Sequence, residues 1–167
     1  FGIVYGQQAY GLATSLGIAR AEAQQMIDRY FEAYPGVSAY LKQQIKLAHE
    51  QGYVSTMYGR RRYTADINNR NFQLRSFAER VAMNHPMQGS AADIIKIAMV
   101  RVQNALVEKN LRSKLVLQIH DELDLEVPTN ELKMVSRLVK EQMEGVCHLQ
   151  VPLIAEPSYG NNWAEAK

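Results

Sequence analysis

Two short runs of alternating apolar residues, Leu115/Leu117/Ile119 and Leu123/Leu125/Val127, lie on either side of His120, Asp121 and Glu122. An apolar residue at every second position marks a strand with one buried face, because successive side chains point to opposite sides of an extended chain. Two such runs so close together pair most simply as a tight antiparallel hairpin with the polar triplet at its tip. Neighbouring carboxylates repel each other and keep a proton unless a cation neutralises them. A rigid tip bearing Asp121 and Glu122 therefore suits a divalent metal ion that prefers oxygen ligands. A solvated acidic turn has the same sequence.

Most of the remaining chain reads as helix. Residues 10–17 form a short helix closed by Gly17. Ala23, Met26, Ile27, Tyr30 and Phe31 recur at three- and four-residue spacing, an amphipathic stripe. Pro35-Gly36 is expected to turn the chain into a second helix that ends before Gly52. Tyr53, Val54, Thr56 and Tyr58 favour strand, Gly59 marks a turn, and Arg60-Arg61-Arg62-Tyr63 follows. Consecutive guanidinium groups can fork onto phosphate oxygens, or can line a solvated basic turn. Helix resumes near Phe72, and Pro86 should kink or break it. Ser90 can cap a new helix there, with Asp93 favouring its positive end, and that helix runs to about Glu108. Asn84 and Gln88 flank the break, where their amides either satisfy freed backbone groups or point at a ligand. A final helix begins at Pro128-Thr129 and ends at Gly145. Residues 151–154 read as an edge strand, because Pro152 cannot donate to a central ladder. The fold class is α+β, with helices packed on a small antiparallel sheet.

The net charge of +2 hides an uneven distribution. Residues 1–52 are neutral, 53–80 carry +4, 81–120 carry +3 and 121–167 carry −5. A basic middle followed by an acidic end matches a protein that holds a polyanion and metal ions together, and is also compatible with surface scatter. The single cysteine, Cys147, excludes an internal disulfide and fits a reducing compartment. No apolar run approaches the roughly 18 residues a membrane span requires, and no basic region precedes an apolar leader. The chain opens on Phe1-Gly2-Ile3-Val4-Tyr5-Gly6 without a methionine, as the interior of a longer protein would.

Four segments in order carry a resemblance: Phe1-x-x-x-Tyr5-Gly6, Arg60-Arg61-Arg62-Tyr63, Asn84-His85-Pro86-Met87-Gln88-Gly89-Ser90-Ala91-Ala92-Asp93, and Gln118-Ile119-His120-Asp121-Glu122-Leu123. Together they resemble the C-terminal part of family A DNA polymerases over essentially the whole chain. The resemblance implies a fingers part in residues 1–70 and a palm part in residues 71–167, the latter built from kinked helix, catalytic hairpin, helix and edge strand. It implies a DNA-directed DNA polymerase that extends a primer 3′ end with dNTPs, using two Mg2+ ions. Asp121 is then the metal ligand, with Glu122 near the site and His120 beside the primer end. Phe1 lies against the incoming sugar and Tyr5 near the templating base. Arg80 contacts DNA phosphate. Gln88 reads minor-groove acceptors common to every base pair, supported by Asn84. Primer–template DNA and dNTP are the expected partners, with no membrane, and the location is the cytoplasm, at the bacterial nucleoid. A second catalytic aspartate and the triphosphate-gripping Arg and Lys of the family lie upstream of these four segments. The upstream part of the same polymerase is thus needed for a complete site, and these 167 residues alone are expected to be inactive. A non-catalytic nucleic-acid-binding module and a metal-dependent nuclease are the alternatives.

Overall fold

Glycine and proline punctuate the first helices. In the computed structural model, which describes residues 2–166, α1 (Ala9–Leu16) closes on Gly17, whose φ of 67° is the left-handed conformation a helix end favours. Next come α2 (Arg20–Ala33) and α3 (Pro35–Gln51), which also stops at a left-handed glycine, Gly52. The expected Pro-Gly turn is not there. Pro35 occupies the first turn of α3, where a helix needs no N–H and the ring presets φ, so Tyr34 alone separates the two helices. Of the predicted stripe, Ala23 and Ile27 are buried with Ala9 and Leu12, and Phe31 packs against them. Met26 is 43% exposed.

Strands β1 (Tyr53–Ser55) and β2 (Arg61–Tyr63) pair antiparallel, Val54 opposite Arg62. Val54 packs with Ala48, Ile67, Ala78 and Ala82. The long α4 (Phe72–Glu108) continues for 37 residues through Pro86 as one element, so the expected break with a new helix capped by Ser90 does not occur. An interior proline costs about 3 kcal/mol. Burial of Ala78 and Ala82 before it, and of Ile95, Ala98, Val102 and Leu106 after it, offsets that penalty. Ser90 acts within the helix: its hydroxyl donates to the Pro86 carbonyl and accepts the Met57 N–H at 2.9 Å.

The chain divides into two compact units, Phe1–Ser90 and Ala91–Lys167, the division falling within α4. In the second unit, β3 (Lys114–Ile119) and β4 (Glu122–Glu126) form the expected hairpin, followed by α5 (Leu132–Glu144). Leu123, Leu125 and Val127 pack on Val102, Leu106, Val135 and Leu138. β3 departs from simple alternation. Leu115 pairs with Leu125, but a bulge at Val116 puts Leu117 opposite Asp124 and Gln118 opposite Leu123. Directly paired residues share a face, so Leu115 lies on the core side while Leu117 and Ile119 lie on the other. Residues 151–154 form no strand. Pro152 lacks a donor, no described strand pairs with the segment, and the Ala155 N–H is instead taken by Glu144 Oε1 at 3.0 Å. The architecture is α+β, with five helices and two separate two-stranded antiparallel sheets among the described residues.

Glu131 ties the open end of the hairpin to the start of α5. Its carboxylate accepts the Arg112 N–H at 3.0 Å, the Ser113 N–H at 3.0 Å and the Ser113 hydroxyl at 2.6 Å. The Ser113 hydroxyl first, then the Arg112 amide, hold its pKa below the ordinary carboxylate value. A group whose folded pKa is depressed stabilises the fold above its unfolded pKa, near 4.3, and loses that contribution as pH falls through the folded value. Thermal melts of Glu131→Gln are therefore expected to show a lower midpoint than the parent at neutral pH. The gap should close as the pH is taken below about 4; a gap that stays constant down to pH 2 would contradict the assignment.

Candidate functional site

The hairpin tip is tighter than a three-residue polar cap. His120 and Asp121 form a two-residue loop between Ile119 and its partner Glu122. His120 has φ of 51° and Asp121 is not in the positive region. In two-residue hairpin loops that first position favours glycine, so a histidine there adopts a conformation that side chains disfavour. The Gln118 side-chain amide donates to the His120 carbonyl and pins the turn. Asp121 and Glu122 are both exposed. Glu122 and Asp124 share the β4 face turned away from Leu123 and Leu125. Asp124 Oδ2 is shielded from solvent and takes no hydrogen bond from any described residue, an arrangement that buried polar atoms seldom show without a ligand or water.

Asp124 sits at the polar position of the Leu123-Asp124-Leu125 alternation, and only the face assignment distinguishes it from an ordinary surface residue. Among the described residues no group of three or more His, Cys, Asp or Glu is arranged to hold a metal ion. The tip thus fits a hard divalent ion in donor chemistry, through carboxylate oxygens, while offering fewer ligands than such an ion takes.

The other predicted residues belong to the first unit. Phe1 lies outside the described residues. Residues 2–6 form a turn laid on α4: the Asn84 Nδ2 donates to the Tyr5 carbonyl at 3.1 Å. At Gly6, φ is 84°, and a Cβ would stand 2.6 Å from Met83 Cε. Tyr5, Asn84 and Arg80 are therefore brought to one side of α4. Arg80 donates to Ser76 Oγ at 3.0 Å and lies over the Phe77 ring. Gln88, one turn beyond Asn84, is exposed. The Asn84 amide thus holds a neighbouring loop in place, a role that only long-range structure reveals.

The arginine triplet splits. Arg61 stacks on the Tyr53 ring at 4.5 Å and Arg62 is exposed. Arg60 Nη2 donates to the Gly89 carbonyl at 3.0 Å, a contact between residues 29 apart that spacing alone does not predict.

A family model described as DNA polymerase family A matches residues 1–165. DNA polymerase I of Bacillus caldotenax is 53% identical over 167 residues, which is 100% of this chain and 19% of that protein. DNA polymerase I of Streptococcus pneumoniae TIGR4 is 51% identical over the same share of each. A solved structure described as the POL domain of Pol1 from M. smegmatis in complex with DNA primer-template and dNTP matches with a TM-score of 0.96 at 45% identity, covering 99% of this chain and 29% of that one. The chain thus spans about a fifth of the length of these curated relatives. Among the described residues no helix is long and apolar enough to cross a membrane.

Proposed function

The chain belongs to DNA polymerase family A, and from that premise we propose that it forms part of the fingers (residues 1–70) and part of the palm (residues 71–167) of an enzyme that extends a DNA primer with dNTPs on a template. What carries the reading is the likeness of nearly the whole chain to part of a polymerase domain described with primer–template and dNTP. Asp121 is the residue that would hold Mg2+, with Glu122 beside it. The two Mg2+ ions of the reading, one or both held at Asp121, would between them lower the pKa of the primer 3′-hydroxyl and offset charge on the triphosphate. The stiff tip, pinned by Gln118, keeps Asp121 in place; carboxylates that do not have to reorganise stabilise charge best. His120, fixed at the same tip, faces the primer end.

In the first unit, Gln88 donates its amide to purine N3 or pyrimidine O2 in the minor groove, acceptors present at every base pair. It thereby senses pair geometry without reading sequence. Asn84 keeps Tyr5 against α4, where Tyr5 stacks near the templating position. Phe1 lies on the incoming sugar, and Arg80 meets a DNA phosphate. The site of action is the cytoplasm, on the nucleoid.

A complete site needs residues from the rest of a polymerase, since the tip offers fewer ligands than Mg2+ takes. The test is a chimera in which this chain replaces the matching stretch of the Bacillus caldotenax enzyme. The chimera should extend a primer in a template-dependent way, and the 167-residue chain alone should not. A folded, DNA-binding chimera without extension would overturn the proposed function. Extension by the chain alone would overturn its dependence on a partner segment.

A further inference from the structure

Gln88 sits on the turn of α4 just beyond the one that Pro86 leaves unclosed. Pro86 has no N–H, so the backbone bond that would close the preceding turn is missing. The turn that follows Pro86, which carries Gln88, is gripped from outside by residues 56–60, the turn between β1 and β2. Thr56 accepts the Gly59 N–H on its carbonyl at 2.9 Å, and its hydroxyl accepts the N–H groups of Tyr58 and Arg60 at 3.3 and 3.2 Å. The turn is thus rigid in its own right. Ties then reach α4, among them Arg60 Nη2 to the Gly89 carbonyl at 3.0 Å, the Met57 N–H to Ser90 Oγ at 2.9 Å, and the Thr56 methyl over Gly89. The last is possible because Gly89 has no Cβ; one built there would stand 2.7 Å from Thr56 Cγ2.

Resting on the reading of Gln88 given above, we infer that Arg60 is a positioning residue. By holding the Gly89 carbonyl it fixes the turn that aims the Gln88 amide, and so sets discrimination against mispaired primer ends rather than affinity for DNA. The rival assignment for an arginine of this triplet is a phosphate contact, and the two separate cleanly. A phosphate contact releases counterion, so its loss lowers the salt dependence of binding by about one unit of slope and weakens binding to all sequences alike. A lost brace leaves that slope unchanged and misplaces Gln88, and small misplacements cost about ten- to a hundredfold in rate.

The experiment uses the chimera with Arg60→Ala, Arg60→Lys and, as reference, Gln88→Ala. It measures kcat/KM for matched against mismatched primer ends, the salt slope of primer–template binding, and amide hydrogen exchange over residues 85–93. Arg60→Ala should lower discrimination by about tenfold, toward the Gln88→Ala level. Exchange should speed up at that turn and the salt slope should not change. Arg60→Lys, with one donor within reach of the carbonyl but no planar fork, should fall between parent and Ala. A salt slope reduced by about one with discrimination intact would make Arg60 a phosphate ligand and overturn the inference, as would unchanged exchange at residues 85–93. If Gln88→Ala itself leaves discrimination intact, the proposed role of Gln88 fails, and the exchange data still decide whether Arg60 braces the turn.

Discussion

Asp121→Ala in the chimera is expected to reduce primer extension by up to about a thousandfold, the upper end of the range for removing one preorganised electrostatic group, with primer–template binding changed little. The structure separates these two effects. Asp121 is exposed at a loop whose geometry is held by the Gln118 amide and the Ile119–Glu122 pairing, so removing its carboxylate takes nothing from the fold. Affinity for DNA comes mainly from cations meeting phosphates, and the loss of one negative charge does not weaken that. Glu122→Ala is the informative companion. Glu122 begins β4 on the face it shares with Asp124, beside the tip rather than at it, and a smaller loss of rate is expected. Rapid-quench extension with a melting curve for each variant reads both quantities. An Asp121→Ala chimera that retains extension would leave the hairpin tip as a solvated acidic turn.

Local rules account for what was legible in the sequence. Gly17 and Gly52 end helices because a left-handed residue closes a helix wherever it occurs. The hairpin at residues 114–126 follows from the period of its apolar residues. What escaped involves contacts distant in sequence. Pro86 predicts a kink or a break, and α4 runs on through it with packing on both sides and external ties from residues 56–60. Three apolar residues at period two predict one face for β3, and the bulge at Val116 moves Leu117 and Ile119 to the other. A bulge has no residue signature when its extra member is a valine. The same displacement brings Leu117 opposite Asp124 and Ile119 opposite Glu122. Asn84, expected to support a DNA-facing amide, has its own amide on the Tyr5 carbonyl, 79 residues away. The arginine triplet is uniform in sequence and not in structure, because Arg60 meets a helix, Arg61 an aromatic ring and Arg62 water.

Gly89→Ala tests that packing directly, because helix propensity and close contact predict opposite signs. In an open helical site, replacing glycine by alanine stabilises by about 0.5–1 kcal/mol through the unfolded chain. Gly36, in the first turn of α3 with nothing within 4 Å of the position a Cβ would take, should behave in that way. At Gly89 a Cβ would stand 2.7 Å from Thr56 Cγ2 and 2.9 Å from His85 Cε1. Thr56 is buried, and its hydroxyl accepts from the Tyr58 and Arg60 amides. Its methyl cannot turn away without giving up both bonds. Overpacking of this kind costs about 1–3 kcal/mol, which outweighs the propensity gain, so Gly89→Ala should destabilise by about 1–2 kcal/mol. The turn at residues 56–60 should lift from α4, and Arg60 should lose its hold on the carbonyl beside Gln88. Denaturant melts of the two glycine variants should therefore move in opposite directions, and only Gly89→Ala should also erode discrimination against mismatched primer ends. Parallel stabilisation of both would mean that the close approach of residues 56–60 to α4 does not exist in solution.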